Sequence, residues 1–246
     1  MRSVEIVAGT SDFRGQVVVH GHFGRPVLVF PSEAGSAWDF QNNGMVDAVR
    51  AMVDTGRVKL YCVGSADAST WSDRSLPIEE RARRHDLYER WVIEDVVPFL
   101  REDCAGRSDI LTVGCSLGAF HAANLALRHA DLFPQALCLS GSYDPSEWDA
   151  WGDRGDAAYF HNPMEYVANL GGDHLDWLRG AVHLVLVVGQ GSWEVHPTRA
   201  LPSTQRFAAV LGEKGIPHEL DVWGHDVPHD WSSWQRQLSH HLPRLS

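Results

Sequence analysis

Ser116 stands where a side chain is easily given a chemical task. It lies in Gly114-Cys115-Ser116-Leu117-Gly118, after the apolar run Ile110 to Val113 and before AFHAANLALRHA, whose apolar residues recur three and four apart. Strand, tight turn and helix in that order hold a serine in strained backbone with its Oγ raised above a sheet. A helix beginning at Leu117 points free N–H groups and its positive dipole end toward any negative charge that develops there. The chemistry is nucleophilic attack on an acyl carbonyl, with the Leu117 N–H as one oxyanion donor. A serine hydroxyl is a weak nucleophile at neutral pH, so it needs a base, and the base needs an acid to fix its tautomer. His225 and His229 in GHDVPHD are the candidate bases; Glu194 in GQGSWE and Asp144 in SGSYD are the candidate acids. Cys115 is a second nucleophile type beside Ser116, but its side chain is expected to point into the strand end. His225 and His229 also form H-x-x-x-H. Pro228 breaks the helix that would bring both imidazoles to one face, so no metal and no cofactor is expected.

These residues need a sheet to position them. Two β-strands are expected at Ser3–Val7 and Gln16–Gly21, joined by the turn SDFRG. Further strands follow at 25–30, 58–63, 136–139, 182–188 and 218–223, with the strongly apolar 182–188 read as central in the sheet. Helices are expected at about 43–54, 78–101, 203–214 and 231–242. On the long helix Leu87, Trp91, Val92, Val96 and Phe99 form the apolar face, Arg81, Arg83, Arg84 and Glu89 take the other, and Pro98 argues for a kink or an early end. Strands alternating with helices after a β-rich start predict an α/β fold. Its central sheet is mostly parallel, with helices on both faces and antiparallel N-terminal edge strands. In such sheets the site lies beyond the C-terminal strand ends. Trp71, Trp193 and His225 fall in strand-end loops and are the candidate pocket walls. Trp231 and Trp234 read as core, and His240-His241 as a solvated helix end.

The chain has 246 residues, 44% of them apolar, and no internal repeat or linker, which suits one α/β domain spanning 1–246. The stretch at about 143–179 is acidic and aromatic and reads as a cap-like excursion over the strand ends, or as a solvated acidic loop. A formal net charge of −11 argues against nucleic acid or a membrane as partner, since both demand a basic face. The N-terminus has no continuous apolar h-region, and the four cysteines have no C-x-x-C spacing. A cytoplasmic protein with buried free thiols is expected; a homo-oligomer is compatible with the sequence.

Serine, then acid, then histidine is the chain order of α/β-hydrolases. Over almost its whole length the sequence resembles that superfamily. Within it, the resemblance is to the esterase family of esterase D-like S-formylglutathione hydrolases and mycolyltransferases. The resemblance rests on GCSLGA at 114–119, GQGSWE at 189–194 and H-D-x-x-H-D-W-x-x-W at 225–234. It implies that His229 is the base, from the family's H-x-W-x-x-W type ending, and that Glu194 is the acid, from its G-x-W-E-like loop. Many relatives carry His-Gly after the third strand to supply an oxyanion N–H. Pro31-Ser32-Glu33-Ala34-Gly35 stands there instead, so Ser32 or Glu33 would have to donate. The implied activity is serine ester hydrolysis through an acyl-enzyme on a small or medium acyl ester. Acyl transfer or thioester hydrolysis would use the same residues, and a non-catalytic binding module the same fold.

Overall fold

The computed structural model describes residues 1–7 and 14–246. Eight strands form one sheet: β1 (Arg2–Val7), β2 (Arg14–His20), β3 (Arg25–Phe30), β4 (Val58–Val63), β5 (Leu111–Cys115), β6 (Gln135–Leu139), β7 (His183–Val188) and β8 (His218–Val222). Their spatial order is β1-β2-β4-β3-β5-β6-β7-β8. β1 pairs antiparallel with β2 and β2 with β4, while every pair from β4 through β8 is parallel. This is the α/β-hydrolase class of fold, with the antiparallel strands at the N-terminal edge. Part of the SDFRG turn falls on residues 8–13, outside the described residues. β7 is next to the edge rather than central, and its apolar run reflects cover on both faces.

Alternation along the strands builds two cores. Val17, Val19, Leu28, Phe30, Tyr61 and Val63 face one side; Val18, Val27, Val29, Leu60 and Cys62 face the other. After the short α1 (Asp39–Asn42), two short helices, α2 (Met45–Ala48) and α3 (Arg50–Asp54), replace the single helix expected at 43–54. The remaining helices are α4 (Ile78–Trp91), α5 (Val97–Asp103), α6 (Leu117–Arg128), α7 (Asp156–Phe160), α8 (Pro163–Asn169), α9 (Gly172–Ala181), α10 (Ala200–Glu213) and α11 (Trp231–His241). Residues of α1–α3 and α11 pack in the second core, and those of α4–α6 and α8–α10 in the first.

The long helix expected at 78–101 is divided by a π-turn at Val92–Val96. Pro98 then falls in the first turn of α5, directly after the π-turn, so the irregularity sits where a residue without an N–H interrupts the regular ladder. The face assignment on α4 is corrected. Leu87 is exposed, whereas Arg81 is 0% exposed and Glu89 is buried. The Arg81 guanidinium donates to the carbonyls of Leu76 (2.9 Å), Trp148 (2.9 Å) and Asp149 (3.1 Å), so burial is compensated by hydrogen bonds from loops on either side. The excursion also departs from a solvated loop: Tyr143, Tyr166, Val167, Leu175 and Leu178 join the first core.

Candidate active site

Ser116 follows β5 with φ 56° and ψ −122°, a conformation that L-residues rarely adopt. Its N–H bonds the Leu139 carbonyl at 2.8 Å, pinning the turn to the adjacent β6. Close packing explains the flanking glycines. A Cβ on Gly114 would lie 1.9 Å from the Gly118 carbonyl oxygen, and one on Gly118 would lie 2.1 Å from that of Pro31. The loop after β3 therefore presses against the start of α6.

Glu194 and His229 come from the loops after β7 and β8. A Cβ on Gly189 would lie 2.1 Å from the Val227 carbonyl oxygen, so the absence of a side chain lets the two loops touch. Gly191 N–H donates to Val227 O (2.9 Å) and His229 N–H to Ser192 O (2.9 Å), locking them together. His229 Nδ1 lies 3.1 Å from Glu194 Oε2, and His229 Nε2 lies 3.0 Å from Ser116 Oγ. With the proton on Nδ1, the imidazole donates to the carboxylate and accepts from the serine hydroxyl. The Trp234 ring meets His229 edge-on at 5.0 Å and limits its tilt.

Glu194 is 0% exposed. A buried carboxylate requires donors on its remaining lone pairs. Ser140 Oγ donates to Oε1 at 2.6 Å and the Gly189 N–H donates to it at 3.2 Å. Ser140 itself has φ 53°, strain held by its N–H bond to Val187 O at 2.7 Å. Sequence reasoning missed Ser140; its position at the end of β6, the strand between those leading to Ser116 and Glu194, was the available signal.

The rival residues have other work. Asp144 Oδ1 accepts from the Ser146 N–H and from Asn162 Nδ2 (2.9 Å), capping the turn at 145–147. Cys115 is buried, and burial pushes its thiol well up, away from the thiolate a nucleophile needs. His225 is exposed, with Nδ1 near Gln190 O at 3.4 Å.

A cavity of about 550 Å³ opens over Ser116 and Leu117. Trp71 lines it, together with Ser142, Trp148, Arg74, His196 and Arg199. Trp193 and His225, expected as walls, are not among the lining residues. Trp193 has φ 71°, which turns its ring outward to 64% exposure while the next residue, Glu194, points in. Trp148 and the 196–199 segment were not foreseen; no periodicity marks them.

Glu33 also lines the cavity. Among the described residues no backbone acceptor is found for the N–H groups of Ser32, Glu33 or Leu117. The next N–H, of Ala34, is taken by Asp67 Oδ2 at 3.2 Å. Asp67 Oδ1 meets His121 Nε2 of α6 at 2.9 Å, and both side chains are buried. Asp67 therefore couples the loop after β3 to the helix that carries the Leu117 N–H. His241 is not part of a solvated helix end: it is buried, with Nε2 2.9 Å from Asp221.

A family model described as "Putative esterase" matches residues 43–245. No curated protein matches the chain. Among solved structures, a ferulic acid esterase is 16% identical with a TM-score of 0.76, over 99% of this chain and 96% of that one. The S-formylglutathione hydrolase from Agrobacterium tumefaciens is 15% identical at TM-score 0.73, over 98% and 92%. The Staphylococcus aureus fluorophosphonate-binding serine hydrolase FphF is 12% identical at TM-score 0.70, over 99% and 97%. At these identities the structural likenesses establish the fold. No helix among the described residues is long and apolar enough to cross a membrane.

Proposed function

The chain belongs to the esterase family, and from that premise we propose that Ser116 is its nucleophile, His229 its general base and Glu194 the acid that orients the base. It is a serine ester hydrolase. His229 Nε2 takes the Ser116 proton as Oγ bonds to the ester carbonyl carbon. The carbonyl oxygen becomes an oxyanion facing the N–H groups of Leu117 and of Ser32 or Glu33. Collapse breaks the bond to the leaving oxygen, which takes the proton from His229. A water gives a proton to His229 and attacks the acyl-serine, and the second collapse returns that proton to Ser116 Oγ. Glu194 stays ionised and stabilises the imidazolium in both halves.

The observation that carries this reading is the continuous hydrogen-bonded line from Ser116 through His229 to Glu194. The cavity's size and its two indole walls favour a small or medium acyl ester. Four free, buried cysteines favour a reducing, cytoplasmic setting. Ser116→Ala, assayed on p-nitrophenyl butyrate with circular dichroism as the folding control, is expected to lower kcat by about 10⁴-fold or more. A fluorophosphonate probe should label the native enzyme once and this variant not at all. Activity within about tenfold of wild type in Ser116→Ala would remove the assignment.

A further inference from the structure

Behind the Trp71 wall of the cavity lies a group of metal-ligating side chains that ester hydrolysis does not use. His85 and Glu89 are four apart on α4, so they share one face of that helix. His161, just past the end of α7, closes over them from the excursion. His85 is 2% exposed, Glu89 6% and His161 0%. One imidazole nitrogen from each histidine and a Glu89 carboxylate oxygen all lie within 4.8 Å of one another.

Two of the three inward-facing atoms in this group lack hydrogen-bond partners. His85 Nδ1 and Glu89 Oε2 are buried without a hydrogen bond, and such groups are costly to leave unmatched. Glu89 Oε1 is fully engaged by Arg128 Nε and His129 Nε2, both at 2.9 Å, which fixes the carboxylate with its other oxygen turned inward. His161 Nε2 meets Asp86 Oδ1 at 2.6 Å. A carboxylate on the far nitrogen sets the tautomer and leaves the Nδ1 lone pair facing Glu89 Oε2 at 3.6 Å, the outer arrangement typical of metal-binding histidines. Nδ1 is otherwise only 3.3 Å from Asn124 Nδ2, and Asn124 keeps a separate bond from Tyr166 to its Oδ1.

We propose that His85 Nδ1, Glu89 Oε2 and His161 Nδ1 form a binding site for a divalent transition-metal ion of the Zn²⁺ class. Two imidazoles and one carboxylate suit that class, whereas Ca²⁺ and Mg²⁺ demand more oxygen ligands. Bonds of about 2.0–2.2 Å draw the three atoms closer together, and two of the three have no bond to surrender. A surface cavity of about 510 Å³ lined by Asp86, Arg128 and Phe160 lies next to the site, and Asp86 and Arg128 are the residues that bond His161 and Glu89. The ion ties the excursion to α4 directly behind Trp71, whose ring lies 5.2 Å from His85 and 6.2 Å from His161. Its role is to stiffen the pocket wall, remote from the bond-breaking steps.

The test is titration of the full-length, chelator-stripped enzyme with Co²⁺ alone, then displacement by Zn²⁺. One equivalent of Co²⁺ should give a saturable visible absorption band that Zn²⁺ abolishes, and Zn²⁺ should raise the thermal midpoint by several degrees. His161→Ala and His85→Ala should each weaken binding about 100-fold or more. His240→Ala, which breaks the other three-residue group, Asp221–His240–His241, should leave binding intact. Absence of a saturable band in wild type overturns the proposal even if the variants fail to fold. Undiminished binding in His161→Ala and His85→Ala, or loss confined to His240→Ala, overturns it as well.

Discussion

At the scale of single residues, the site depends on how a buried carboxylate is kept ready. Among the described residues no Lys or Arg lies within ion-pair distance of Glu194, so beside the His229 imidazole its hydrogen bonds come from Ser140 and the Gly189 N–H. Ser140→Ala leaves Glu194 in place but removes its shortest hydrogen bond. A bond to a charged group contributes about 1.5–3 kcal/mol, so the carboxylate should lose hold on the imidazole in the charged transition state more than in the resting enzyme. The expected outcome is a fall in kcat of about tenfold to a hundredfold with KM little changed, read from steady-state kinetics on p-nitrophenyl butyrate. A rise in KM at constant kcat would place Ser140 in substrate binding instead. Glu194→Gln should be harsher, about 10³–10⁴-fold in kcat, because an amide presents the imidazole with the wrong partner.

At the scale of elements, α4 shows what periodicity reveals and what it hides. Ile78, Arg81, Ala82 and His85 share a helical face, and all four are buried. The spacing was legible; the arginine's usual preference for solvent masked its place, and only the loop carbonyls at 76, 148 and 149 explain it. Glu79 on the same helix accepts from the N–H groups of Gly155 (2.9 Å), Ala158 (3.0 Å) and Ala157 (3.4 Å), capping α7 from another element. Burial alone would push this carboxyl up. Those N–H groups and the Arg83 guanidinium more than reverse it and hold the carboxyl below its ordinary range. A lowered native pKa adds stability that is complete above the unfolded value of about 4.3 and is lost as pH falls through the native value. Glu79→Gln should therefore cost about 1 kcal/mol at pH 7 in urea denaturation, and progressively less in acid. An equal cost at both ends of that range would mean that the charge plays no part in the cap.

At the scale of the whole molecule, the interior strands β3, β4, β5 and β7 and their alternation with helices were readable because each is a compact apolar run covered on both faces. The proposed Ser116, Glu194 and His229 stood out because each lies in a loop after a strand, while the preference for His229 over His225 and for Glu194 over Asp144 came from the family resemblance. The cavity was not, because its walls come from four separate loops and depend on backbone turns such as φ 71° at Trp193, which no pattern of residue types encodes. Charge at this scale can be read directly. The net charge is −11, yet the acids at the cavity are largely paired: Glu147 with Arg206 (2.7 Å) and Asp149 with Arg74 (2.9 Å). Glu33 has no cation within ion-pair distance among the described residues and meets only Ser72 Oγ at 2.6 Å. An incoming ester thus feels the field of the whole chain more than a local clamp, and that field repels anions. Salt screens it, with a Debye length falling from about 30 Å at 0.01 M to about 3 Å at 1 M. For the hemisuccinate ester of p-nitrophenol, kcat/KM should rise several-fold across a salt series, while for the neutral butyrate it should stay within about twofold. A fall with salt for the anionic ester would mean that Arg74 and Arg199 capture its carboxylate at the cavity mouth and outweigh the overall charge.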